Sequence, residues 1–216
     1  PVAQTEKRRN HTVVVLDGSG SMEPLAQEVI GLVNKQIRAA RKAELPTRLS
    51  ILTFSDELGE PLAWDVPASE VEDLTRDDYR VGGMTAMLDA VGAVIDRLKL
   101  LPDTDDPNTS FLVLVVSDGR ENASNKETWD SLAEKIQSCK ATGRWTFAYA
   151  GANQDLSVIT NKLHIDKGNI TSWMACPTGM SHLSGQTISG TNRYYTSTAR
   201  GVSASSSFYE IGPATD

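Results

Sequence analysis

Asp17, Ser19 and Ser21 stand at alternate positions in Leu16-Asp17-Gly18-Ser19-Gly20-Ser21-Met22, with a glycine in each gap. Glycine lets the backbone curl without Cβ clashes, so one carboxylate and two hydroxyls can converge on a point. Such a hard-oxygen set suits Mg²⁺, Mn²⁺ or Ca²⁺ better than zinc. A strand-to-helix turn in which Ser19 or Ser21 caps the helix explains the same residues, and on this stretch alone both readings stand. Two further segments bear on the choice. Arg80-Val81-Gly82-Gly83-Met84-Thr85 brings a threonine to the start of an amphipathic stretch, and Ser117-Asp118-Gly119 puts a carboxylate at the end of an apolar run. If the two runs are neighbouring strands, all five side chains gather at one edge of a sheet.

The elements that must position them are legible as apolar periodicities. Thr12–Leu16 and Phe111–Val116 are continuous and β-branched, as expected of strands buried on both faces. Arg48–Phe54 and Trp145–Tyr149 read as two more. Between them, apolar residues recur at three- and four-residue steps from Met22 to Ile37, Met87 to Leu98 and Trp129 to Ile136, the spacing of amphipathic helices. The alternation predicts a doubly wound, three-layer α/β fold with a mostly parallel central sheet of about six strands. After Phe54 the turn Ser55–Gly59 is too short for a helix, and Pro61 and Pro67 flank the next extended run. That run is expected to be one antiparallel edge strand. Ile170–Ala175 reads as a final strand and Pro177–Tyr195 as a last helix weakened by Gly185 and Gly190. The expected organisation is a single domain over 11–200, an N-terminal tail over 1–10 and a frayed, Ser-rich tail over 201–216.

Composition narrows the function. The 216 residues are 39% hydrophobic and 23% charged, enough for one sizeable core and unlike a disordered chain. Lys and Arg number 21 against 28 Asp and Glu, a net charge of −7, which is the wrong sign for a phosphate-neutralising nucleic-acid binder. Two cysteines, Cys139 and Cys176, make no disulfide framework, and the scattered His11, His164 and His182 make no zinc signature. No apolar run approaches a bilayer span, so the expectation is a cytoplasmic protein with no membrane partner.

Among other polar residues, Glu121 and Asn122 are expected either to steer the Asp118 loop or to cap the helix before Trp129. Asp89 is expected to cap or pair, and His164 to be structural. Trp64, Trp129, Trp145 and Trp173 are expected in the core or at its edge. Asp103, Asp105 and Asp106 read as a solvated acidic loop.

With these residues in place, the sequence resembles the von Willebrand factor type A domain with its metal-ion-dependent adhesion site. That family's Asp-x-Ser-x-Ser, distant Thr and distant Asp fall on Asp17, Ser19, Ser21, Thr85 and Asp118. The likeness extends to Gly83–Ala90, Asp118–Asn122 and Gly151–Asn153, and is greatest to small stand-alone bacterial and phage domains. It departs at Gly18, where many relatives carry a larger residue, and in the Gly/Ser/Thr-rich C-terminal segment. The resemblance implies Mg²⁺ (or Mn²⁺, with Ca²⁺ as a third option) held by those five residues. It further implies a protein partner whose Glu or Asp completes the metal's shell, in a bacterial or phage multi-protein system. The alternatives are a metal-independent scaffold and a Mg²⁺-dependent phosphohydrolase. No catalysis is expected, because Ser19 stands where haloacid-dehalogenase phosphatases carry their second Asp, and GxSxG and phosphate-loop motifs are absent.

Overall fold

The computed structural model describes residues 8–153 and 155–210. Six strands form one sheet: β1 (Arg9–Asp17), β2 (Thr47–Phe54), β3 (Ala63–Pro67), β4 (Thr109–Ser117), β5 (Trp145–Gly151) and β6 (Ile170–Ser172), in the order β3-β2-β1-β4-β5-β6. All neighbours are parallel except β2 and β3, and β3 lies at the edge as its flanking prolines require. The helices are α1 (Ala26–Arg41), α2 (Met87–Lys99), α3 (Trp129–Lys140), α4 (Leu156–Leu163) and α5 (Pro177–Ala199).

Strand side chains alternate between two cores, which is why the strand sequences run apolar without interruption. Val14 and Leu16 of β1, with Leu112, Leu114 and Val116 of β4, pack beneath α1 and α5. Val13 and Val15, with Phe111, Val113 and Val115, pack beneath α2, α3 and α4. On that second face Phe111 and Trp145 stack at 4.2 Å, so Trp145 is a core residue. Trp173 is buried as well, while Trp64 and Trp129 are half-covered at the edge.

This topology positions the site. The chain leaves β1 through α1 toward β2 on one side, while β4 begins the run to β5 and β6 on the other. The C-terminal ends of β1 and β4 are therefore adjacent, with connections diverging from them, and that switch point is where open α/β sheets bind ligands.

Two expected boundaries move. Arg9 and Asn10 belong to β1 rather than to a tail, and Asn10 is fully buried between Thr47 and Ser110. At the other end the Ser-rich stretch packs as far as it is described. Phe208 is buried, the Ser205 N–H donates to Thr146 Oγ1 at 2.8 Å, and Asn169 bonds both the Ser205 carbonyl and the Phe208 N–H. Residues 211–216 and 1–7 lie outside the described residues. The final strand is shorter than the expected Ile170–Ala175, ending at Ser172. The last helix does form: Cys176 caps it, Pro177 opens it, and Gly190 lies where a Cβ would meet the Phe208 carbonyl at 2.5 Å. The small residue there admits the C-terminal segment.

Leu114 is fully buried in the first core. Leu114→Ala is expected to cost about 2–5 kcal/mol of unfolding free energy, the range for buried Leu truncations. Urea unfolding monitored by tryptophan fluorescence measures it, and a cost below ~1 kcal/mol would contradict this packing.

Candidate metal centre

Asp17 ends β1 and is fully buried. Its Oδ1 accepts the Ser19 N–H at 2.8 Å, its Oδ2 accepts the Ser117 hydroxyl at 2.5 Å, and its carbonyl accepts the Tyr79 hydroxyl. Burial pushes its carboxyl above the ordinary range, and the Asp118 charge pushes the same way, against the hydrogen bonds from Ser117 and Ser19. No cationic side chain is among the main influences on it. Desolvation raises the Tyr79 hydroxyl for the same reason, reinforced by Asp17 and Asp118, so it remains a neutral donor.

The remaining expected residues arrive from three loops. Ser19 Oγ lies 3.2 Å from Ser21 Oγ, and the Ser21 hydroxyl donates to Asp118 Oδ1 at 2.7 Å. Thr85 and Asp17 both border Gly119: a Cβ at that position would lie 3.0 Å from Thr85 Oγ1 and 3.8 Å from Asp17 Oδ2. Glycine at 119 thus lets the Asp118 loop close over the other donors. All five residues lie together at the C-terminal end of the β1–β4 pair. Asp17, Ser19, Thr85 and Asp118 are buried, and Ser21 opens to solvent.

Backbone bonds hold the three loops in register. On one side Gly18 donates to Phe54 and accepts from Gly82, Gly20 donates to Gly83, and Asp56 accepts the Met84 N–H. A Cβ on Gly18 would lie 3.2 Å from the Arg80 carbonyl and 3.3 Å from that of Phe54, so the departure at this position matches a closely approached backbone. On the other side Asn122 both accepts the Thr85 N–H at 2.9 Å and donates its own N–H to the Thr85 carbonyl at 3.1 Å. Glu121 accepts the N–H groups of Leu88, Ala123 and Ser124. Asp89 accepts those of Asn125, Lys126 and Glu127. Those three amide bonds outweigh its burial and hold the Asp89 carboxyl below the usual range. Of the two readings for Glu121 and Asn122, the structure therefore selects loop positioning. Neither is a cap of α3, whose cap is Thr128. Asn153, in the left-handed region at φ 54°, donates to the Asp118 carbonyl.

Two residues the sequence did not single out matter here. Ser117 bonds Asp17 directly, and its signal was its place beside Asp118 at the end of the strand. Tyr79 gave no pattern, because it reaches Asp17 from a loop 62 residues away. Elsewhere, Asp103 and Asp106 are engaged by Arg9, and Asp103 also by His11, so they form an ion-paired cluster rather than a solvated loop. His164 is the left-handed C-terminal residue of α4.

The donor set fits a hard divalent cation: two carboxylates and three hydroxyls, with a buried Asp17 that makes no ion pair among the described residues. Among the described residues no group of three or more His, Cys, Asp and Glu is placed to hold a metal.

Sheet order, edge strand and helix layers define the von Willebrand factor type A fold. The family model described as "VWA domain containing CoxE-like protein" matches residues 1–144, two thirds of the chain, and the chain belongs to that family. Solved structures of similar fold include a von Willebrand factor type A protein from Catenulispora acidiphila, at 15% identity and a TM-score of 0.55, covering 86% of this chain and 43% of that one. The ArnB paralog VWA2 from Sulfolobus acidocaldarius is 18% identical with a TM-score of 0.54, over 82% and 44%. Proximal thread matrix protein 1 of the mussel byssus, in a structure with a zinc-occupied MIDAS motif, is 13% identical with a TM-score of 0.60, over 84% and 45%. At such identities the likeness is one of fold. The chain spans less than half the length of each of these proteins. No curated protein matches it.

Because Asp17 is a buried carboxylate facing a second one, metal-free Asp17→Asn is expected to be at least as stable as the metal-free wild type. Urea midpoints in EDTA test this; a loss of more than ~1 kcal/mol would show that the carboxylate's own hydrogen bonds outweigh its desolvation.

Proposed function

We propose that this chain is a divalent-metal-dependent protein-binding module. The observation that carries the reading is the convergence of Asp17, Ser19, Ser21, Thr85 and Asp118 at the switch point, around a buried carboxylate that makes no ion pair among the described residues. In this reading those five residues hold Mg²⁺ or Mn²⁺, with Ca²⁺ as a third candidate. Zinc joins the panel because the byssus protein is described with zinc in its motif. A bound ion supplies an electrophilic position that one further anionic oxygen can fill. The chain's own residues do the rest. Ser117 and the Ser19 amide fix the rotamer of Asp17, Ser21 ties Asp118 to the β1 loop, and Asn122 sets the depth of Thr85. The partner then contributes a Glu or Asp side chain to the site.

No turnover is proposed. Asp17 is buried with both oxygens engaged, and the residue two positions on is Ser19 rather than a second acid. We place the module in a bacterial or phage multi-protein assembly and in the cytoplasm. The family resemblance supports the first, and two free thiols, Cys139 and Cys176, support a reducing compartment. Among the described residues no helix is long and apolar enough to cross a membrane.

A thermal-shift titration with Mg²⁺, Mn²⁺, Ca²⁺ and Zn²⁺ against EDTA tests the reading. An ion that binds only the native state adds roughly 2.7 kcal/mol at a hundredfold excess over Kd, a rise of several degrees for a domain of this size. The rise is expected in wild type and absent in Asp17→Ala, which stays folded because the residue ends its strand. An equal rise in both proteins would place the ion elsewhere.

A further inference from the structure

A groove of about 290 Å³ is lined by Arg120, Glu121, Trp129, Asp155, Val158 and Ile159. It begins two residues after Asp118. Its floor is apolar, with Ile159 buried and Trp129 and Val158 half-covered, and Lys162 lies 5.3 Å from the centre of the Trp129 ring. The two acids in the groove are already committed. Glu121 is consumed by the amides of Leu88, Ala123 and Ser124. Asp155 caps α4 through the Ser157 N–H, and hydrogen bonds from Ser157 hold it below the usual carboxylate range, with the Arg120 charge assisting. Arg120 itself is exposed and makes no hydrogen bond or ion pair among the described residues.

Across the site, Arg80 is likewise exposed and free of such partners, on the segment that contacts Gly18. Most other arginines in the described chain are spent: Arg9, Arg38, Arg41, Arg48 and Arg76 in ion pairs, and Arg144 and Arg193 on backbone carbonyls. On a chain of net charge −7, two unspent arginines therefore bracket the candidate metal centre. Met84, 53% exposed beside Thr85, adds an adaptable apolar contact on the same rim.

We infer that the partner segment captured here is acidic and apolar in sequence: besides the carboxylate directed at the metal, it carries a second acidic residue for Arg120 and an apolar side chain for the Trp129–Ile159 groove. Charge complementarity selects this occupant, because an acidic segment is repelled by the net charge of the chain and attracted by the exposed arginines that stand beside the site without a salt bridge. The inference rests on the metal-centre reading given above and deepens it from one carboxylate to a sequence pattern.

The test uses a pool of blocked, fluorescein-labelled octapeptides with one central Glu fixed and all other positions randomised, passed over the immobilised chain in millimolar Mn²⁺. The retained pool is expected to be enriched in Asp or Glu and in Leu, Ile, Phe or Met near the fixed Glu. Arg120→Glu is expected to weaken the best selected peptide about tenfold and Arg80→Glu by a few-fold, the scale for charges at an interface rim. The Mn²⁺-induced rise in melting temperature should be unchanged in both variants. A retained pool with no acidic or apolar preference, no retained peptide on a chain that binds Mn²⁺, or a peptide affinity unaffected by Arg120→Glu overturns the inference while leaving the metal centre standing. Absence of any Mn²⁺-dependent rise in wild type, a readout that involves no peptide, overturns both.

Discussion

Two parallel strands hydrogen-bonded side by side deliver Asp17 and Asp118 to the same end of one sheet, and the first of these is fully buried. Bringing like charges together in a desolvated place is costly. Much of the surrounding structure answers that cost. Ser117 and the Ser19 amide donate to Asp17, Ser21 donates to Asp118, and Tyr79 closes the space below as a neutral donor. These contacts lower the cost without removing it, because hydroxyls and amides carry no net charge. In the proposed reading a divalent cation supplies the counter-charge.

That constraint explains why so much polar chemistry is spent on loops. Thr85 has to approach from α2 while Asp118 approaches from β4, and neither segment has regular structure at that point. Asn122, Glu121 and Asp89 replace the missing ladder with side-chain-to-amide bonds, satisfying buried backbone groups that otherwise lack partners. Glycines 18 and 119 sit where backbone and donor atoms come within 3.2 and 3.0 Å of a notional Cβ. The loops are thus held in place by their supports, and in the proposed reading the outer rim, with Arg80, Met84 and Arg120, meets the partner.

The parts legible in the sequence are those with a physical period or a fixed spacing. Continuous β-branched runs announced strands buried on both faces, and the run after Phe54, too short of the turn for a crossover and bounded by proline, announced the edge strand. The alternate placement of Asp17, Ser19 and Ser21 announced a convergent loop. What escaped depends on contacts between distant segments. Tyr79 reaches Asp17 across 62 residues and Asn122 reaches Thr85 across 37, and no local pattern encodes such pairings. The serines around Ser205 suggest fraying, whereas Phe208, buried against Gly190 of α5, is the residue that anchors the stretch. Asn10, which falls in the expected tail, is buried between two strands and bonds Thr47, a pairing with segments far along the chain.

On the proposed function, five oxygen side chains hold one divalent ion with a position left open to an anionic oxygen. A Mn²⁺ titration followed by electron paramagnetic resonance and water-proton relaxation tests this most directly. One Mn²⁺ per chain is expected, in contact with rapidly exchanging water that an added carboxylate displaces, and the ion is lost in Asp17→Ala and Asp118→Ala. Failure of millimolar Mn²⁺ to bind, or binding that survives both substitutions, would contradict the proposed function.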